Sequence, residues 1–363
     1  KCAELRPRVL AAKTAAERGK LINELLAHLQ TSHTAFLTPD EPRYYYLLGV
    51  FGAHLRDTPL MAQFPDRVAR YDGIGVIYEE IDGQTFIRAV WPGFPADKAG
   101  LRAGDLILTA DGVPFAPIAS FRGKAGQDVE LRVQSRPAPE SARAVTVVPR
   151  AIEPAAAFLA AQCRTTLHIR NGVSIAYMHI WSYAGQQYQD AFEAALATDA
   201  FRNADALVLD LREGLGGADP KYLNVFAPAI PTMCSTGRDG ATHCTEPPGW
   251  HKPAALLVNE HSASGKEIYA YGFQKWGVGP VVGTRTAKAV VGGSPFALPG
   301  NNLLYLAVMD VTVDGHRIEG NGVTPDVVVP FELPFAEGKD PQLDRALELM
   351  EETVNRGGQK KAD

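Results

Sequence analysis

The chain divides by the period of its apolar positions. Up to about residue 65 the period is helical: Leu21, Leu25 and Leu29 fall on one stripe. The stretch LQTSHTAFLTPDEPRYYYLLG breaks that stripe with a loop, and a helix restarts after Pro42. From Tyr71 the pattern shortens to alternating runs with glycine turns between them. These runs are GIGVIYEE (73–80), TFIRAVWPGFPADKAGLRAGDLILTADGVPF (85–115) and DVELRVQS (128–135), closed by VTVVPR near Arg150. An alanine-rich helix or linker follows at 153–162. Beyond it strand and helix signals alternate, the order of an α/β domain. Strands are expected at 173–179, 206–211, 254–258, 281–283, 303–313 and 327–329, and helices at 186–197, 220–226, 266–276 and 341–355. The organisation expected is an N-terminal helical region (1–68), a β-rich module (69–150), an α/β core (151–335) and a C-terminal helix and tail (336–363). The last residues, GGQKKAD, are expected to fray. No internal repeat is visible.

Composition bounds the function. A chain of 363 residues with 46% hydrophobic and 21% charged positions has room for two domains and a sizeable core. The net charge of −5, without a basic cluster, argues against a nucleic-acid partner. No apolar run reaches the roughly 18–20 residues of a membrane helix, so no membrane-spanning segment is expected. No signal peptide is read in the residues given, which open at Lys1 as a processed chain would. Cys2, Cys163, Cys234 and Cys244 fit no zinc ribbon. Cys234 and Cys244 bracket the turn-rich STGRDGATH, which suits a local disulfide, with Cys2 and Cys163 as the remaining pair. That pattern favours an oxidising, extracytoplasmic compartment such as a periplasm; four free thiols in a cytosolic enzyme is the competing reading. His28, His54, His168, His179, His243, His251, His261 and His316 show no HExxH or paired ligand spacing, so neither metal nor cofactor is expected.

The chemistry concentrates in three stretches. LLVNEHSASGKEIYAYG (256–272) reads as a buried strand, a polar turn and a helix. Ser264 falls on that turn between Ala263 and Gly265, at the positive end of a helix where developing negative charge is favoured. Taken alone, Ser262 or Ser264 reads as the helix N-cap, with Glu267 completing a capping box or touching substrate main chain. Lys266, in the first helical turn, is expected to face solvent. LVLDLREGLGGADPKYL (207–223) runs a buried strand into a glycine turn whose Gly214, Gly216 and Gly217 can present bare N–H groups. Its spacing does not match a dinucleotide GxGxxG. GTRTAKAVVGGSPFALPG (283–300) and VDGHRIEGNGVTPDVVV (313–329) form a loop-rich rim that carries Glu319.

Residues 73–150 resemble a PDZ domain. Gly73, Ile74, Gly75 and Val76 match its carboxylate-binding loop, and 94–107 its signature helix and following strand; peptide binding by strand addition is what this implies. A lid or spacer role is the alternative. DLREGLGG, NEHSASGKEI, VVGTRTAKA and EGNGVTPD together resemble the serine peptidase family that contains the C-terminal processing (tail-specific) proteases and the tricorn core. The resemblance implies a crotonase/ClpP-like α/β peptidase core with an N-terminal helical segment and an inserted PDZ-like domain. It implies Ser264 as nucleophile, Gly216 and Gly265 as oxyanion donors, and protein or peptide substrates. Tail-specific members take a lysine as base at the position that falls here on Ala289. Lys288 is one residue early, a shift that on a strand turns the side chain to the other face. Tricorn-like members use a histidine from the N-terminal region with a glutamate, and the corresponding motifs here hold Ser32, His33 and Glu319; His33 is the base favoured on that ground. Two other classes stand against a peptidase: an inactive peptide- or lipid-binding protein on the same fold, and an acyl-CoA enzyme on a crotonase-like core.

Overall fold

Strands made of Val, Leu and Ala with no polar interruption need cover on both faces, and the core sheet has it. The computed structural model describes residues 1–227, 233–245 and 249–359. Its main sheet runs in the order Thr166–Arg170, Val173–His179, Ala206–Asp210, Ala254–Val258, Val281–Gly283, Val327–Val328. The first pair is antiparallel and the rest are parallel. Ala206–Asp210 and Ala254–Val258 are buried throughout. One face packs under the helices Gln186–Leu196 and Gly265–Lys275, through Phe192, Tyr269 and Phe273. The C-terminal helix Pro341–Gln359 covers the other face with Ala346, Leu347 and Met350. That helix continues into the stretch expected to fray; residues 360–363 lie outside the described residues.

The helix is anchored by charge at its start. Arg212, just past the strand Ala206–Asp210, donates to Asp210 (2.6 Å) and to Asp340 (2.7 Å). Asp210 is fully buried; burial opposes its charge, but Arg212 and His179 hold its carboxyl well below the usual range.

Residues 76–147 form a second, antiparallel sheet with its own core of Ile74, Ile87, Phe121, Leu131 and Val133. The N-terminal region is mainly helical, with Cys2–Ala11, Ala15–Leu26 and Pro42–Leu55. Tyr44, Tyr45 and Tyr46 pack inward, Tyr46 against Trp91 and Phe158.

Several strands fall outside the sequence expectation, among them Thr166–Arg170 at the edge of the main sheet and two that pair with Asn302–Asp310. Ala35–Leu37 sits in the loop that follows His33 and pairs antiparallel with Asn302–Asp310. Val291–Leu298, in the stretch read as rim, pairs with the other side of Asn302–Asp310. Its glycines belong to a close approach: a Cβ on Gly293 would lie 2.3 Å from the Tyr305 ring. Cys234 and Cys244 face each other across the hairpin Met233–Thr236 and Thr242–Thr245 and form the expected disulfide. Cys2 and Cys163 are free and exposed, so the second bridge is not formed.

Candidate active site

The turn between the strand Ala254–Val258 and the helix Gly265–Lys275 is held from within. Ser262 Oγ accepts from Asn259 N–H (3.0 Å) and donates to the Leu211 carbonyl (3.0 Å), and Ser262 is fully buried. That hydroxyl is spent on structure. Ser264 lines a cavity of about 790 Å³, at φ 60° and ψ −128°, backbone angles that a side-chain-bearing residue rarely holds. Glu267 holds it there. This buried carboxylate accepts from the N–H groups of Ser264 (3.2 Å), Lys288 (2.9 Å) and Ala289 (2.8 Å), and from the Thr286 hydroxyl (2.5 Å). The Ala289 carbonyl also accepts from Ser264 N–H (2.8 Å). Glu267 is thus a cap that reaches beyond its helix, and its burial keeps it from substrate.

Gly216 and Gly265 meet beside Ser264. A Cβ on Gly216 would lie 2.6 Å from Ser264 Cβ and 3.1 Å from Gly265 N; one on Gly265 would strike Ala218 N. Only glycine permits either approach. Among the described residues neither N–H has a hydrogen-bond partner, and both residues flank Ser264, an arrangement that could serve oxyanion donors.

Lys266 corrects the sequence expectation. It is fully buried, and its Nζ donates to the Glu213 carbonyl (2.5 Å), which ties the first turn of the Ser264 helix to the loop bearing Gly214–Gly217. Burial lowers its pKa from 10.5 to about 7, with Asp210 and Glu213 opposing. A lysine among apolar positions was read as solvated because nothing local shows which face the loop covers.

His33 lines the same cavity as Ser264, though the two make no direct hydrogen bond. Its Nδ1 lies 3.0 Å from Ser32 Oγ, and that hydroxyl donates to Glu319 Oε2 (2.9 Å). A hydroxyl has one proton; given to Glu319, it leaves Ser32 to accept from Nδ1–H, so Nε2 is the free lone pair. Glu319 is itself pinned by Ser32 N–H (2.8 Å) and Val290 N–H (2.6 Å). Burial lowers the His33 pKa below 6.5, Arg43 lowers it further, and Glu319 opposes both. Lys288 is placed differently. It sits at φ 63° in an irregular loop, is exposed, and packs its stem toward Gly322 away from the cavity lining.

The 76–147 sheet reaches this cavity. Val76–Ile81 is an edge strand, paired only with Gln84–Val90, and its Ile77, Tyr78 and Glu80 line the cavity wall. Gly73, Ile74, Gly75 and Val76 do not: all four are buried, and the Phe94 ring fills the space over Gly75. One side chain joins the two units. Buried Arg88 donates to Glu213 (2.7 Å), Glu260 (2.6 Å) and Glu79 (3.1 Å), and Asn259 also donates to Glu213 (2.7 Å). Burial works against the Arg88 charge, and the carboxylates raise its pKa regardless. Among the described residues no cluster of His, Cys, Asp and Glu is arranged to hold a metal.

Comparison with known proteins gives matches over most of the chain. The model of peptidase family S41 matches residues 174–329, and a PDZ domain model matches residues 86–134. Tricorn protease homolog 1 of Streptomyces coelicolor is 28% identical over 341 residues, which cover 91% of this chain and 30% of that protein. The carboxyl-terminal-processing protease of Picosynechococcus is 27% identical over 358 residues, covering 93% of this chain and 80% of that one. This chain therefore spans less than a third of the tricorn homologue and most of the processing protease. The crystal structure of the tricorn protease superposes with a TM-score of 0.52 at 19% identity, over 97% of this chain and 34% of that one, a likeness of fold. Residues 174–329 thus carry the match to peptidase family S41 and residues 86–134 the match to a PDZ domain, and the chain is similar along most of its length to a carboxyl-terminal-processing protease and a tricorn protease homolog.

Proposed function

We propose that the chain is a serine endopeptidase in which Ser264 is the nucleophile and His33 its base, acting on polypeptide laid along the edge strand Val76–Ile81. The observation that carries this reading is the shared cavity: Ser264, His33, Gly216 and that edge strand all line it, with Ser32 and Glu319 stacked behind the imidazole. His33 Nε2 takes the Oγ proton as Oγ attacks the scissile carbonyl carbon. The oxyanion is received by the N–H groups of Gly216 and Gly265. On collapse the C–N bond breaks, and the imidazolium returns its proton to the leaving amine. Water then attacks the acyl ester by the same route. Ser32 and Glu319 orient the ring and stabilise its charged form.

An acylating probe on Ser264, with turnover of an unfolded protein substrate, tests the reading. Ser264→Ala is expected to lose both, and His33→Ala to fall nearly as far, because nucleophile and base act as a unit. Lys288→Ala is expected to keep most of its turnover, and Glu319→Gln to lie between. A dead Lys288→Ala beside an active His33→Ala would hand the base role to lysine. Failure of Ser264 to react with any probe would favour the inactive binding protein. The Cys234–Cys244 bridge supports an oxidising, extracytoplasmic compartment for the working protein.

A further inference from the structure

We propose that Lys266 is a positioning residue for the reaction: it clips the glycine turn 214–217 to the start of the helix that follows Ser264, and so sets the spacing between the Gly216 and Gly265 N–H groups. This rests on the peptidase reading of the cavity. The two N–H groups belong to different segments, Gly216 three residues after Glu213 and Gly265 one residue before Lys266. The bond from Lys266 Nζ to the Glu213 carbonyl (2.5 Å) is the one hydrogen bond among the described residues that joins 213–218 to 264–275. An oxyanion site needs both donors to converge on one oxygen, held to within about 0.5 Å.

The glycine turn needs holding. Glu213 sits at φ 57° and Gly214 at φ 72°, so the turn is entered through left-handed backbone that a side-chain-bearing residue rarely adopts. The Glu213 side chain is fixed by Arg88 (2.7 Å) and Asn259 (2.7 Å), and Leu215 N–H donates to the Trp181 carbonyl (2.9 Å). Among the described residues the Glu213 carbonyl has no donor besides Lys266. The next residue, Glu267, accepts from Ser264 N–H (3.2 Å) and fixes the other side of the site. Consecutive residues of one helical turn thus secure the nucleophile position and the glycine turn opposite it.

Stability alone does not account for a lysine at this position. Lys266 is fully buried, and a buried amine answered by one carbonyl stabilises less than an apolar side chain of similar volume. The two carboxylates near it are answered elsewhere: Asp210 by Arg212 and the Tyr177 hydroxyl, Glu213 by Arg88 and Asn259. The first turn of a helix also disfavours a cation. What the side chain supplies is reach, a flexible four-carbon stem that carries a donor from the helix to a backbone carbonyl on a neighbouring segment.

Lys266→Met keeps the stem and removes the donor. With fluorescein-labelled unfolded casein as substrate it is expected to lower kcat about tenfold or more, while KM changes less than about twofold. Casein binding, read by anisotropy on Ser264→Ala with and without Lys266→Met, should likewise change less than about twofold. Inhibition by a trileucine aldehyde should weaken with kcat: Ser264 Oγ adds to the aldehyde carbon, its proton passes to His33, and the aldehyde oxygen is left between the two N–H groups. Lys266→Arg restores a donor and should recover part of kcat even with a lower melting temperature than Lys266→Met. Amide exchange over 211–219 should quicken in Lys266→Met while the strand Ala254–Val258 stays protected. Wild-type kcat in Lys266→Met, unchanged exchange in the turn, or losses across the Met, Gln and Arg variants that follow melting temperature would each overturn the proposal. If Lys266→Met does not fold, Lys266→Gln, too short to reach the carbonyl, carries the same comparison. Should Ser264→Ala keep wild-type turnover, the peptidase reading fails, and the clip stands or falls on the exchange rates.

Discussion

At the scale of single residues, two titrating groups carry signatures that mutation can move. As the proposed base, His33 must be neutral to act, and burial holds its pKa below the ordinary 6.5. The rise of kcat/KM with pH is therefore expected to have its midpoint below 6.5. Ser32, Arg43, Glu319 and Tyr305 face the ring. Arg43→Met should move that midpoint up, and Glu319→Gln should move it down. A midpoint unmoved by both changes would detach His33 from the rate. Lys266 gives a stability signature instead. Its folded pKa of about 7 lies below the ordinary 10.5, so between these values the unfolded chain binds the extra proton. Wild-type stability should rise from pH 7 toward pH 10 through this lysine, and Lys266→Met should lack that rise in urea titrations. Sequence reading reached Ser264, His33, Ser32 and Glu319 because each lies in a motif. It did not reach the burial of Lys266, which depends on the loop that covers it.

At the scale of elements, the loop 284–290 is the part that periodicity could not describe. It has neither helical nor strand repeat, because its backbone groups bond to two buried carboxylates. Glu267 takes Lys288 and Ala289 N–H, and Glu319 takes Val290 N–H. The same loop therefore sets both the strained turn at Ser264 and the relay behind His33. Glu267→Gln should cost about 2–4 kcal/mol, since an amide must turn at least one donor toward donors already present. The expected result is a lower melting temperature and a larger loss in kcat than in KM, read by calorimetry and steady-state kinetics. The strand Ala35–Leu37 was missed for a simpler reason. Three apolar residues between polar breaks fix no period, and its pairing partner lies far along the chain.

At the scale of the whole molecule, Arg88 is the joint between the PDZ-bearing sheet and the turns of the core that line the cavity. It touches Glu213, beside the glycines Gly214–Gly217, and Glu260, just before the turn that carries Ser264. Arg88→Met should cost about 3–5 kcal/mol, because Glu213 is left buried and short of a partner. Glu79→Gln, at the half-exposed end of the same cluster, should cost under about 1 kcal/mol. Comparable losses for the two would argue that the cluster is solvated. The disulfide hairpin is a separate matter. Two strands alone are marginal in water, so reduction should speed tryptic cleavage after Arg238 while the melting of the main core stays in place.

The pairing of Ala35–Leu37 with Asn302–Asp310 also sets an order in time. During synthesis His33 emerges before Ser264, and the strand that brings Tyr305 and His33 together comes later still. A nascent chain therefore holds no complete cavity until the strand Asn302–Asp310 has left the ribosome. On the peptidase reading, a chain that has not yet made that strand is harmless to itself and to its neighbours.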